Sequence, residues 1–473
     1  MQEIIVEVGM QYTRTALIED GDLIEFLVEE NQQQSVVGNI YKGLVQKVIP
    51  GLGAAFIDIG EEKNAYLSLT EKEPVFLNKG ICLATLKNGE AITVQAIKEA
   101  TETKGITVTT HISLPGKFFV MVSDDEEIHI SKKIKEEEER KRLLQMVQEH
   151  KKENHGVIIR TEAQGKSKEE LVQDYLSLQK QWNNILKKEP YAMPKTKIHK
   201  EVSTGLKNVR ERLTENVNAY QINNMDLYKE VKEFISQVFP TFIDKIKYTK
   251  EDLFSKYQIE SKVLKALRPK VWLKSGGFLV IEETEALTVI DVNSGKFVGK
   301  KNVEDTILKT NMEAIKEIAK QVRLRNLSGI IIIDFIDMQQ KTHQQKVLHE
   351  LQKVFTNDPV PVYIIGMTNL GLVEITRKKI KNSLSDQLLQ SCSYCYGGKQ
   401  YGKAFLIPQI EREIQSIIRN TSADEILLEG SKEIIDAFIP YQNQFTKPLR
   451  LKNNLQKSMI EYKVSPIFYE ENI

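Results

Sequence analysis

The sequence predicts an α+β chain of several domains, and three observations carry that expectation. At 473 residues the chain exceeds the size at which a single hydrophobic core stops growing. From Val36 to about Lys117 it reads as short strands broken by near-regular turns, the pattern of a small barrel. Farther on, two β-branched runs of strand length enclose a long segment of helical periodicity. That is a strand–helix–strand unit, whose crossover makes the two strands parallel.

In chain order, residues 1–35 alternate as short strands with a turn at Glu19-Asp-Gly-Asp22 and end in the polar connector Asn31-Gln-Gln-Gln34. The barrel region holds apolar runs at 38–48, 54–60, 64–67 and 91–97, with a turn at Pro50-Gly-Leu-Gly53. An OB-fold is the expected form. Phe56 and Tyr66 fall on adjacent strands, where aromatic faces can stack bases; ordinary packing is the other use of such rings. A charged amphipathic helix is expected over 134–152, then a strand at 156–160 that ends in Arg160 and Thr161. A second helix covers 168–188, a linker 190–194, and further helical stretches lie at 205–216, 226–238 and 257–267. Lys274-Ser-Gly-Gly277 turns into a strand at 278–283.

The two runs of the strand–helix–strand unit end in acids. One is Ala286-Leu-Thr-Val-Ile-Asp291-Val-Asn293-Ser-Gly295, and the other is Gly329-Ile-Ile-Ile-Ile-Asp334-Phe-Ile-Asp337-Met338. Between them, Val303, Ile307, Met312, Ile315, Ile318, Ala319 and Val322 repeat at helical spacing. Neighbouring parallel strands bring both carboxylates to one end of the sheet, about 5 Å apart. Two hard oxygen anions so placed suit Mg²⁺, which takes one or two carboxylates and completes its shell with water and phosphate. A pair of merely solvated strand-end aspartates is an equal reading of the pattern. Asp337, at odd spacing from Asp334, is expected on the opposite side of the strand. A helix near 344–355 and a strand at 360–365 follow, and the tail from 401 to 473 reads as a small closing domain.

Net charge is +1, from 66 basic and 65 acidic side chains, which excludes a uniformly basic nucleic-acid binder. Basic clusters at 195–200, at Lys296 with Lys300 and Lys301, at 323–325 and at 377–381 could track a phosphate backbone. Solvated faces are the commoner use of such runs, as of the acidic runs at 124–127 and 136–139. No apolar stretch reaches the roughly 18 residues a membrane span needs, and the first eight residues lack the form of a secretory signal. Three cysteines cannot build a disulfide framework, so the expected compartment is the cytoplasm. Cys392-Ser-Tyr-Cys395-Tyr-Gly-Gly398 has the spacing of a redox pair or of half a zinc site. The third cysteine, Cys82, is distant in sequence.

Several segments together resemble the ribonuclease E/G family. They are Gly276-Gly-Phe-Leu-Val-Ile-Glu-Glu-Thr-Glu-Ala-Leu-Thr-Val-Ile-Asp-Val-Asn-Ser-Gly295, Gln321-Val-Arg-Leu-Arg-Asn-Leu-Ser-Gly-Ile-Ile-Ile-Ile-Asp-Phe-Ile-Asp-Met338 and Leu370-Gly-Leu-Val-Glu-Ile-Thr-Arg377. The resemblance implies a metal-dependent endoribonuclease that cuts single-stranded, A/U-rich RNA and leaves 5′-phosphate and 3′-hydroxyl ends. It implies that Asp291 and Asp334 hold the Mg²⁺ and that Asn293 hydrogen-bonds near the phosphate. It also implies RNA contacts from Phe56, Tyr66 (where the family commonly has phenylalanine) and Lys104. Arg160 and Thr161 match a pocket that grips a 5′-monophosphate, with Glu162 an acidic neighbour here. Cys392 and Cys395 match a zinc link in which two chains share one Zn²⁺, giving a homodimer that can pair into a homotetramer. Serine replaces the common proline between them.

The implied architecture is a ribonuclease-H-like domain over 1–35 and 203–266, into which an OB-fold of ribosomal-protein type (36–118) and a 5′-end sensor region (119–202) are inserted. A catalytic nuclease domain (267–388), the zinc link (389–402) and a small C-terminal domain (403–473) follow. Length points to the compact, ribonuclease-G-like branch. The expected role is ribosomal or transfer RNA processing, or mRNA decay. A non-catalytic RNA-binding or ribosome-assembly factor is the alternative.

Overall fold

The computed structural model of the chain describes residues 1–31, 36–69, 86–100, 105–123, 126–151, 155–202, 204–295, 303–356, 358–392, 398–454 and 461–469. The connector at 32–34, Cys82, Lys104, the lysines at 296, 300 and 301, and Cys395 lie outside them. Two compact units result: Met1–Gln33 with Asn216–Asn224 and Lys247–Ile473, and Gln34–Glu215 with Met225–Ile246.

In the first unit, five strands form a mixed sheet in the order Ile246–Tyr248, Val217–Ile222, Gln2–Val8, Tyr12–Glu19, Asp22–Glu30. The first strand of the chain pairs parallel with Val217–Ile222 and antiparallel with Tyr12–Glu19. The turn at Asp20-Gly21 has positive φ at both residues (49° and 84°), the mirror-image turn whose twist suits a two-residue hairpin. Ile5, Ala16, Ile18 and Phe26 pack under Leu253, Phe254, Ile259 and Val263 of the short helices that follow.

A six-stranded sheet occupies the middle of this unit, in the order Lys270–Trp272, Phe278–Glu283, Leu287–Asn293, Gly329–Asp334, Leu372–Arg377, Val362–Met367. Leu287–Asn293 and Gly329–Asp334 are parallel, joined by the helix Val303–Leu324. This is the crossover unit expected from the two apolar runs. Leu372–Arg377 was not expected as a strand: its buried Val373 and Ile375 alternate with Glu374 and Thr376, its last residue, Arg377, is buried and paired with Asp358, and it enters between the two neighbouring strands antiparallel. Burial decides the sheet's sidedness. Ile290, Val292, Ile331, Ile333, Val373 and Ile375 bury one face against Val303–Leu324 and Lys341–Phe355, and the alternate residues line an open face. A hairpin of Leu389–Ser391 with Lys399–Tyr401 follows. The last part is a three-stranded sheet, Leu449–Asn453, Glu425–Gly430 and Lys463–Ile467, packed on helices Lys403–Asn420 and Lys432–Phe438.

The second unit contains the expected barrel. Ile40–Ile49, Ala54–Asp58, Ala65–Ser68, Thr107–Thr109 and Ala91–Lys98 pair in that order, and the last closes on the first. Thr196–His199 adds to Ile40–Ile49 as a further strand. The basic run at 195–200 is therefore partly a sheet edge, and the stretch read as a linker includes a short 3-10 turn, Glu189–Tyr191. A four-stranded sheet of Ile128–Ile130, Gly156–Ile159, Phe119–Val122 and Ser113–Pro115 packs with the helix Lys168–Lys188. That helix starts at a Ser167/Glu170 capping box and buries Tyr175 and Trp182. The acids at 137–139 open the helix Glu137–His150, where its positive dipole end favours them.

Candidate active site

On the open face of the six-stranded sheet, Asp291 and Asp334 are register partners across the parallel pair. They are thus one strand spacing apart, about 4.8 Å, at the carboxyl ends of their strands. Asn293 lies two residues beyond Asp291, on the same face, and its Nδ2 donates to Asp291 Oδ2 at 2.7 Å. That bond fixes the orientation of one carboxylate. The Asp334 carboxyl is held above its usual range, by partial burial first and then by the charges of Asp291 and Asp337.

The strand ends at Asp334, and Asp337 lies beyond it as an exposed acid. Among the described residues, no group of three or more histidine, cysteine or acidic residues is disposed to hold a metal.

Two further features hold these strand ends. Gly295 has φ of 60°, and a Cβ there would strike the Gly276 carbonyl oxygen. A side chain at Gly277 would meet the Asn293 carbonyl oxygen at 2.8 Å. The Gly-Gly and Ser-Gly turns therefore close on each other beside Asn293. Behind Asp334, the fully buried Asn311 of the Val303–Leu324 helix donates to the Ile336 carbonyl at 2.9 Å and accepts its N–H at 3.2 Å. Gln344 Nε2 donates to the Met338 carbonyl at 2.9 Å. Sequence reasoning missed Asn311, although a signal was present. It stands four residues after Ile307 and four before Ile315, on a helical face that otherwise asks for an apolar side chain.

The other expected residues fall elsewhere. Phe56 and Tyr66 are cross-strand partners on the barrel, with ring centroids 6.3 Å apart at 75°. Their neighbours Ala55, Ile57, Ala65 and Leu67 fill the interior, so the two rings face outward. Arg160 follows the strand Gly156–Ile159; its Nη1 donates to the Gly116 carbonyl at 2.9 Å, and its Nε is 3.6 Å from Glu162. Thr161 shares a hydroxyl–hydroxyl bond of 2.9 Å with Ser131. Cys392 follows the strand Leu389–Ser391 and its N–H donates to the Gly398 carbonyl at 2.7 Å, so the hairpin brackets the Cys-x-x-Cys segment.

Comparison with known proteins gives a consistent picture. The family described as "Ribonuclease E/G family" matches residues 113–380, a span containing Arg160, Thr161, Asp291, Asn293 and Asp334. The chain is 38% identical to a ribonuclease G of Haemophilus influenzae over 92% of each chain. It is 35% identical to a ribonuclease G of Escherichia coli, also over 92% of each. A ribonuclease E of Nostoc sp. is 34% identical over 84% of this chain and 58% of its own length.

Proposed function

The chain belongs to the ribonuclease E/G family and is an endoribonuclease, and from that premise we propose that it cuts single-stranded, A/U-rich RNA with Mg²⁺ held by Asp291 and Asp334. The observation that carries this reading is the register pairing of the two aspartates on an open sheet face. Like charges placed opposite each other destabilise a sheet, and a bound divalent cation is what turns that arrangement into a favourable one. Hard oxygen donors in this number fit Mg²⁺, which leaves places for water and a substrate phosphate. When bound, Mg²⁺ supplies Lewis-acid stabilisation of charge that builds on the scissile phosphate.

The chain's own residues orient and bind. Asn293 spends one amide hydrogen on Asp291 and has a second to offer a phosphate oxygen. Phe56 and Tyr66 give outward aromatic faces for base stacking, and Lys104 a cation for the backbone. Arg160 and Thr161 supply a guanidinium and a hydroxyl for a 5′-monophosphate, in competition with Glu162. Cys392 and Cys395 fit two of the four ligands of a structural Zn²⁺, the other two coming from a second copy, in a homodimer that can pair into a homotetramer. No described helix is long and apolar enough to cross a membrane. A cytoplasmic role in ribosomal or transfer RNA processing, or in mRNA decay, fits these properties.

One assay tests the reading. An A/U-rich RNA with a 5′-monophosphate, triphosphate or hydroxyl end is incubated with the protein, with and without EDTA. Cleavage is expected only with the divalent cation, and fastest from the monophosphate. Undiminished cutting in EDTA contradicts the metal site. RNA binding with no cutting under any condition favours a non-catalytic RNA-binding or ribosome-assembly factor.

A further inference from the structure

The open face that carries the acid pair also carries an aromatic group that no step above uses. Phe278 is the register partner of Asn293, and Trp272 is the partner of Phe278. Paired residues share a face, so Trp272, Phe278 and Asn293 form one row across three strands. Lys270, Val280 and Asp291 form the adjacent row by the same pairings. The buried alternates Leu273, Leu279 and Ile281 confirm that the two rings point away from the helices.

Trp272 is 65% exposed, unusual for the largest apolar side chain. Its ring meets Phe278 edge-on at 5.4 Å between centroids. The Lys270 ammonium sits 4.2 Å from the Trp272 centroid and 3.7 Å from that of Phe278. Among the described residues Lys270 makes no ion pair, so its charge is free to move to an anion.

We infer that Trp272, Phe278 and Lys270 form a base-stacking subsite for single-stranded RNA beside the Asp291–Asp334 pair. The inference rests on the RNA-cleaving reading and adds to it where the strand lies. Trp272 is two strand spacings, about 10 Å, from Asn293, within reach of a nucleotide flanking the scissile phosphate. A base stacks on the indole while Lys270 takes the adjoining phosphate. This combination of π-face and cation is how sequence-tolerant single-strand binding is built. The Lys270 ammonium over two aromatic rings, in the row that leads to Asp291, favours RNA over a second copy of the chain as its occupant.

The chain's other tryptophan, Trp182, is 1% exposed, so a ligand-dependent change in tryptophan emission reports on Trp272. The full-length protein is titrated with a short oligouridylate in EDTA, which binds without being cut, and sedimentation is run on the same samples. A saturable emission change is expected in the unsubstituted protein. Trp272→Ala is expected to weaken binding by roughly 5- to 100-fold, Trp272→Phe to recover most of it, and both to keep the same mass. With Mg²⁺ present, Trp272→Ala should raise KM and leave kcat nearly unchanged.

Unaltered affinity in Trp272→Ala, or RNA binding with no emission change, overturns the inference. A mass that falls on Trp272→Ala overturns it in favour of a contact between copies. The functional reading fails separately, if the unsubstituted protein neither binds nor cuts RNA.

Discussion

The acid pair and the Arg160–Thr161 pocket are both proposed to meet phosphate, yet one is electrostatically open and the other already answered. Asp291 and Asp334 face each other across the strand pair, and the Asp334 carboxyl is raised, by partial burial first and then by the Asp291 charge. Arg160 is tied to the Gly116 carbonyl and Glu162, and Thr161 to Ser131. On the proposed reading, the first site gives up folding stability for a cation that is added later, and the second would exchange existing partners for its ligand. Ligand removal should therefore affect the two differently. Loss of the cation should stop chemistry, and loss of the 5′-phosphate should only slow it.

The largest expected effect lies at the acid pair. Asp291→Asn or Asp334→Asn should lower cleavage by about a thousandfold or more, on the scale seen when a group stabilising transition-state charge is lost. RNA affinity should stay near that of the parent, and single-turnover rates with a parallel binding assay separate the two. Comparable turnover by either variant breaks the comparison at its stronger end.

At the pocket, Arg160→Lys keeps the charge but loses the two-pronged grip on phosphate. The rate ratio between 5′-monophosphate and 5′-hydroxyl RNA should fall by roughly tenfold, with cutting of the hydroxyl substrate unchanged. Glu162→Gln should act the other way. An exposed pair is worth at most about 1 kcal/mol, so the preference should grow only about two- to fivefold, read as the same ratio. A fall in that variant means that Glu162 supports the pocket rather than competing in it.

The smallest effect concerns stability. A carboxyl whose folded pKa is raised binds its proton more readily folded than unfolded. Its stabilisation is thus present below the unfolded value and lost as pH rises through the folded one. In EDTA, melting temperatures should accordingly show a contribution from Asp334 that declines with rising pH through its raised pKa. Asp334→Asn should remove that contribution and raise metal-free stability at neutral pH by a few tenths to about 1 kcal/mol, whereas Mg²⁺ should raise the melting temperature of the parent alone.

Legibility in the sequence followed periodicity. The barrel, the crossover helix and the register of Asp291 with Asp334 were readable because each rests on a regular apolar repeat ending in a marked residue. Leu372–Arg377 is obscured by the polar residues on its open face, and Thr196–His199 by Lys197 and the flanking Lys195 and Lys200, because edge and open-faced strands need few apolar positions. Asn311 was passed over because its function is to hold a loop that sequence does not show closing on it. Trp272 and Phe278 could be seen only once the pairings joined them to Asn293.

The central claim is that two adjacent strand-end carboxylates hold one divalent cation, and exchanging a ligand atom tests it most directly. In Asp334→Cys, a thiolate replaces a hard oxygen donor and disfavours Mg²⁺ relative to softer cations. Cleavage is expected to be lost in Mg²⁺ and substantially restored in Mn²⁺, while the parent works in both. Full activity of Asp334→Cys in Mg²⁺ alone would contradict it.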